Sequence, residues 1–321
     1  LGSNLVAAVG ICGSDLHIDS WTAGYAFLTP LMPITLGHEM SGIVRHVGPD
    51  VTTLSVGDRV VVAPGLNCGT CASCRVCDWD ACENMAVPGI LSDGGMAQFV
   101  RAPHSSVFPI PDALDLDIAA LCEPLCVALR AVRVAEIQQG DRVAVLGPGT
   151  IGQALAFFAK LHGAAEVYVA GFNDAARLDV VQKLGFPATF DLAQADEEAA
   201  FMQAGKGVDV VFEATGNPIS ITQGIEILRN DGRLIAAGIH GAPATIDLVK
   251  FVRKRLQLRA SHKFHREDWP HVIATLAAHA ETVRPMITHR LPLAEALEGF
   301  ALAKSGAASK VILKPNQATA T

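Results

Sequence analysis

Four cysteines, Cys68, Cys71, Cys74 and Cys82, fall within 15 positions, separated by two, two and seven residues. Zinc prefers four ligands in a tetrahedron, and two-residue gaps let a turning loop aim successive thiols at one point. The four are expected to close a structural zinc site that stabilises its loop, about 64–86, and leaves no coordination position open for chemistry. Cys77, in the same loop, is surplus and expected to stay free. Disulfide pairing or simple burial is the weaker reading. A zinc-ribbon nucleic-acid module is weaker still, because almost no basic residues surround the loop.

A second set of groups is dispersed: Cys12-Gly13-Ser14-Asp15-Leu16-His17, Gly37-His38-Glu39 and Cys122-Glu123. Each is weak alone, since a His-Glu pair is more often a surface pair and a single thiol more often core. Together they supply one thiolate, one imidazole and two carboxylates. That is enough for three protein ligands and one exchangeable position, the arrangement that separates a catalytic zinc from a structural one. Cys122 itself is expected to pack rather than ligate.

The third cluster is Gly147-Pro148-Gly149-Thr150-Ile151-Gly152, which follows the β-branched run 143–146 and opens a helical stretch. In that setting the first glycine permits a tight turn and the second lets a pyrophosphate approach the backbone. The third packs helix on strand, while the helix N-terminus meets the phosphate charge. A carboxylate for the ribose hydroxyls should follow by about 20 residues. There the chain reads Gly171-Phe172-Asn173-Asp174, with Asp174 late and Arg177 able to face a 2′-phosphate. Asn173 and Arg177 are thus candidates for the ribose edge, and Thr215 and Gly216 for the crevice at a later strand end.

These groups need two kinds of frame. Up to Cys126, which is the last cysteine, short β segments (42–44, 58–62, 97–100) alternate with Gly/Pro turns. From about Asp141 the rhythm becomes strand–helix: strands at 142–146, 166–170, 209–213 and 233–238, helices at 151–161, 175–184 and 219–228. Such alternation argues for a parallel sheet covered by helices. The tail 269–313 mixes helical segments with a final strand, 310–313, placed with the first domain. The 321 residues suit about two domains. Half of them are hydrophobic, so a large core is available. A net charge of −7 without a lysine-arginine run argues against a nucleic-acid surface. No apolar stretch reaches the ~18 residues of a membrane span. No basic-then-apolar signal pattern opens the chain, which makes the cytoplasm the expected compartment, where disulfides are rare.

In order and spacing, Cys12-Gly-Ser-Asp, Gly37-His-Glu with Gly42 and Gly48, the four-cysteine lobe and the glycine-rich turn resemble the zinc-dependent medium-chain alcohol dehydrogenases over 6–315. Glu123-Pro124-Leu125 is similar to the polyol branch, which includes sorbitol and related sugar-alcohol dehydrogenases, and butanediol dehydrogenases share it. The resemblance implies an α/β chain: a GroES-like β-rich catalytic domain over 1–126 and 266–321, with a Rossmann doubly wound parallel sheet domain inserted at 127–265. It implies two Zn²⁺ per chain, one catalytic and one structural, with NAD favoured over NADP, and a homodimer or homotetramer. Cys12 and His38 become ligands of the catalytic zinc, Glu39 the third, and Glu123 an alternative ligand or neighbouring carboxylate. Ser14 matches the hydroxyl that takes the substrate proton, and His17 the relay behind it.

The implied reaction is reversible oxidation of a secondary alcohol, a polyol foremost, to a ketone, with hydride passing to the nicotinamide and the proton leaving through Ser14, the cofactor ribose and His17. Pocket walls are expected near 18–27 and 90–91. His262 and Lys263 are minor candidates for reaching the cofactor or a neighbouring subunit; the other histidines, including His240, read as surface or core. Two departures from the family stand out: the stretch ahead of Cys12 is shorter, which would leave the substrate-domain barrel incomplete, and the ribose-binding carboxylate is missing. Alternatives are a threonine, butanediol or other secondary-alcohol dehydrogenase, and a non-catalytic nucleotide-binding redox sensor on the same fold.

Overall fold

The computed structural model describes residues 2–77 and 81–316; Asp78, Trp79 and Asp80 of the expected zinc lobe, and most of the polar end, lie outside them. Among the described residues the strands are β1 (Gly2–Gly10), β2 (Glu39–His46), β3 (Arg59–Val62), β4 (Phe99–Ala102), β5 (Val107–Pro109), β6 (Arg142–Leu146), β7 (Glu166–Gly171), β8 (Thr189–Asp191), β9 (Val208–Glu213), β10 (Leu228–Ala236), β11 (Gln257–Ala260), β12 (Ile287–Pro292) and β13 (Lys310–Lys314). They form two sheets in two units. One unit runs up to Glu123 and resumes at His265; the other spans Pro124–Phe264.

The first unit holds a mixed sheet in the order β12-β13-β1-β2-β3-β5, with β4 also paired to β1. β1 is its organising strand, antiparallel to β2, β4 and β13. Its apolar residues Val6 and Val9 join Met40, Val44, Val60, Val62, Val100, Val311 and Leu313 in one core. The pairing sets Gly10 opposite Glu39. The glycine leaves room for the Glu39 carboxylate, since a Cβ would lie 2.0 Å from Glu39 Oε2 and displace it.

The second unit is a six-stranded sheet in the order β11-β10-β9-β6-β7-β8, with every pair parallel. Its strands read as near-continuous apolar runs because helices cover both faces, and Ala144, Leu146, Val211, Ile225 and Leu234 lie in its core. The chain leaves β6 towards β7 and β8, then returns to β9 on the other side. The order therefore reverses between β6 and β9, and ligands in such sheets bind outside the carboxyl ends at that reversal.

Several elements differ from the sequence expectation. The helix expected at 219–228 is Pro218–Ile227, started by Pro218 in its first turn and capped by the Asn217 side chain. Leu228 instead begins β10, which reaches back well before Arg233. The three-residue β8, the helix Ala195–Ala204 and the exposed edge strand β11 carry no clear apolar period. No described helix is long and apolar enough to cross a membrane.

Candidate metal centres and dinucleotide site

Among the described residues, two groups of side chains place one ligand atom each within 4.8 Å of one another: Cys12, His38 and Glu39, and the four cysteines 68, 71, 74 and 82. The first group is assembled by β1 and β2. Cys12 follows β1 and precedes the helix Gly13–Asp19, and its backbone N–H donates to Asp15 Oδ2 at 2.8 Å. His38 and Glu39 enter β2. Ser14 Oγ lies 3.3 Å from His38 Nε2. On the other side of the ring, His38 Nδ1 faces Asp15 Oδ1 at 3.7 Å, and neither atom has another hydrogen-bond partner. A carboxylate behind the imidazole turns the second nitrogen outward as a ligand, the usual support of a metal-binding histidine.

Glu39 and Lys310 are both buried, and Lys310 Nζ donates to Glu39 Oε1 at 2.8 Å, to Glu39 Oε2 at 2.6 Å and to the Ile11 carbonyl at 2.9 Å. Burial works against the Lys310 ammonium, yet the charges of Glu39 and Cys12 leave its pKa above the ordinary value. Burial, then the Glu39 charge, pushes the Cys12 thiol up to about 12. Burial also pushes Glu123 up to about 8; His38 opposes the shift, while Glu39 and Cys12 add to it. Glu123 thus shares the electrostatic field of this pocket. In the protein alone, Cys12 and Glu123 are both pushed towards their protonated forms. A divalent cation would replace those protons, so the donor set fits zinc on Cys12, His38 and a carboxylate.

The four cysteines fit zinc by a different route. Ligands about 2.3 Å from a tetrahedral ion lie roughly 3.8 Å apart, and Cys68 Sγ and Cys74 Sγ are 4.0 Å apart. The backbone N–H groups of Thr70 and Cys71 pull the Cys68 thiol down to about 5, and those of Cys74 and Glu83 lower Cys71. Burial instead raises Cys74 to about 12. Cys77 is exposed and Cys122 and Cys126 are buried; none of the eight is in a disulfide.

In the second unit, Gly147 takes φ +105° and its N–H donates to Ala170 O at 2.8 Å. Gly149 precedes the helix Thr150–Leu161, which contains Thr150, Ile151 and Gly152. A Cβ on Gly152 would lie 1.8 Å from the Gly147 carbonyl, so only glycine lets the helix approach the turn. Pro148 O accepts from Gln153 Nε2 at 2.8 Å.

At the ribose edge, Gly171 ends β7, and a Cβ there would press on Pro148 and Asp174. Asp174 is buried and held by Arg177 through two bonds of 2.7 and 2.5 Å. Asn173 N–H donates to Asp191 Oδ1 at 2.6 Å. Across the order reversal, fully buried Glu213 accepts from the N–H groups of Thr215 and Gly216 at 2.7 and 2.9 Å, and its other oxygen meets His240 Nε2 at 2.8 Å.

The structure therefore brings Cys12, Ser14, His38 and Glu39 together, with Glu123 within their electrostatic reach. The His17 ring is stacked on Tyr25, with centroids 5.8 Å apart. Sequence reasoning missed Asp15 as the partner of His38, although it stands inside the Cys12 run. Lys310 carries only the faint signal of a lysine heading an apolar strand. His240 reads in the sequence as an ordinary surface or core histidine, but the structure bonds it to Glu213.

Residues 5–112 match the alcohol dehydrogenase GroES-like domain family, and residues 150–278 the zinc-binding dehydrogenase family. Sorbitol dehydrogenase of Halalkalibacterium halodurans is 32% identical over 314 residues, 97% of this chain and 90% of its own. L-threonine 3-dehydrogenase of Bacillus subtilis is 33% identical with the same coverage. A zinc-binding dehydrogenase structure from Sinorhizobium meliloti bound to NADP superposes with a TM-score of 0.87 at 29% identity, covering 98% of this chain and 91% of its own. The fold is that of a zinc-binding dehydrogenase. The chain belongs to the zinc-dependent medium-chain alcohol and polyol dehydrogenase family.

Proposed function

We propose that the protein reversibly oxidises a secondary alcohol, a polyol by preference, to the ketone, with NAD as hydride acceptor and two zinc ions per chain. The observation that carries this reading is the buried pocket in which a thiol, an imidazole and a carboxylate bring ligand atoms within 4.8 Å of one another, beside a serine hydroxyl. When bound, zinc supplies Lewis-acid polarisation of the substrate hydroxyl, and the dinucleotide supplies the hydride acceptor. The chain's own residues do the rest. Asp15 orients His38, Lys310 holds Glu39, and Ser14 Oγ takes the substrate's hydroxyl proton and passes its own outward towards His17. The cysteine lobe has all four positions filled by thiols, so its ion stabilises structure only.

Charge at the ribose edge supports NAD. Asp174, Asp191 and Glu197 stand there, and the Arg177 guanidinium is already engaged by Asp174. A 2′-phosphate would meet these carboxylates. Assembly as a homodimer or homotetramer belongs to the same reading, supported by the exposed edge strand β11 and by exposed Leu248, Val249 and Val252 on the preceding helix. Eight cysteines outside any disulfide suit the cytoplasm. Initial rates with polyols and each cofactor test the proposal: NAD reduction by a polyol is expected, and a clear preference for NADP, or no reduction with any secondary alcohol, contradicts it.

A further inference from the structure

We propose that Glu213 and His240 are positioning residues for the nicotinamide half of the dinucleotide: the buried carboxylate ties the loops after β9 and β10 into one rigid seat, and the imidazole closes it. The inference rests on the proposed dinucleotide site and adds the residues that hold the reacting half of the cofactor. The strand order decides which half lies here. Pyrophosphate belongs at the Gly147–Gly152 turn after β6, and the adenosine ribose at the edge after β7. A dinucleotide lies across the order reversal, so its second half runs the other way, over the ends of β9 and β10. Two strand spacings put β10 roughly 10 Å from the turn, a span that a nicotinamide riboside covers.

Glu213 is the last residue of β9 and is fully buried. Its Oε1 accepts from the N–H groups of Thr215 and Gly216 at 2.7 and 2.9 Å and from the Thr215 hydroxyl at 2.5 Å. Its carbonyl accepts from the N–H groups of Ala237 and Gly238 at 2.8 and 2.9 Å. Its Oε2 meets His240 Nε2 at 2.8 Å. One residue thus fixes the loop after β9 through its side chain, and the loop after β10 through side chain and backbone together. The two loops are in contact, since a Cβ on Gly238 would lie 2.4 Å from Gly216 N.

An ionised carboxylate only accepts, so His240 Nε2 is the donor. His240 Nδ1 is buried with no hydrogen-bond partner among the described residues, which leaves Glu213 as the group that orients the ring. The ring is 20% exposed and follows Ile239, which is 56% exposed. The held loop therefore offers apolar and aromatic surface at the carboxyl end of the sheet, the kind of surface on which a flat ring packs. Burying a carboxylate is costly. What it supplies here is loop geometry fixed ahead of binding, which removes an ordering cost that the ligand would otherwise meet.

His240→Leu removes the imidazole bond and leaves the backbone bonds of Glu213 in place. Glu213→Gln keeps an oxygen for the Thr215 and Gly216 N–H groups but loses the charge. The full-length, zinc-loaded proteins are titrated with NADH, read by its fluorescence, and with ADP, which carries only the adenosine and the pyrophosphate, read by calorimetry. Each variant should bind NADH about tenfold more weakly, the effect of one lost charge-assisted hydrogen bond, and ADP within about twofold of the unaltered protein. That split in either variant sustains the proposal. Its absence from both, whether NADH affinity is unchanged or falls together with that for ADP, overturns it. An unaltered protein that binds neither ligand refutes the dinucleotide site itself, and the seat with it; NADH bound normally by both variants refutes the seat alone.

Discussion

Replacing Lys310 with Met tests the electrostatic core of the metal pocket. The change removes an ammonium that bonds both oxygens of Glu39 and the Ile11 carbonyl, at a site where lysine and glutamate are almost wholly buried. Breaking a buried ion pair from one side leaves the other charge uncompensated and costs about 3–5 kcal/mol. For a unit of this size each kcal/mol moves the melting midpoint by roughly 2–4 °C, so the chelated variant should melt roughly 6–20 °C lower. Zinc would restore a counter-charge, so the gap in midpoint between zinc-loaded and chelated protein should widen in Lys310→Met. Adding Glu39→Gln removes the stranded charge and should recover much of the loss. Urea unfolding of the wild type, both single variants and the double variant, with and without chelator, gives the coupling directly. A Lys310→Met protein within about 1 kcal/mol of wild type in chelator, or strictly additive variants, would refute the reasoning.

Two further outcomes follow from the same pocket and its neighbour. Glu123 is held near pKa 8 against an ordinary 4.5; between those values the folded protein keeps a proton that the unfolded chain has lost, so chelated protein should lose stability as pH climbs through that window. Melting in EDTA at pH 6 and pH 8 should show the lower midpoint at pH 8, with the slope reduced in Glu123→Gln; an identical slope in the variant contradicts the assignment. In the lobe, Cys71→Ser should lower zinc by about one equivalent per chain and reduce the melting midpoint while Cys12-dependent zinc is retained; unchanged zinc content, by elemental analysis, would show that the four thiols do not share an ion.

What can be read from the sequence depends on how far apart the cooperating residues lie. The cysteine lobe and the Gly147–Gly152 turn are local, and spacing alone exposes their chemistry. The strand–helix alternation is likewise visible wherever a strand is buried on both faces, as with β6 and β9. β8 and β11 are not, being short or at the edge. Cys12, His38, Glu39 and Glu123 can be proposed from residue type, but their convergence depends on long-range pairing. Lys310 is the extreme case: it lies 271 positions from Glu39 and reaches it because β1 pairs with both β2 and β13. The Glu213–His240 bond is hidden for the same reason, since two strand ends must meet before the histidine has a partner. A lysine or histidine acquires such a role only through the charge it is folded against.

The most direct test is a metal count on Cys12→Ser beside the unaltered protein, purified without added chelator. About two zinc ions per chain in the latter and about one in the former, with polyol-dependent NAD reduction lost along with the ion, is the result expected from a thiol, an imidazole and a carboxylate holding a catalytic metal. Equal zinc in both proteins, with activity retained, would contradict it.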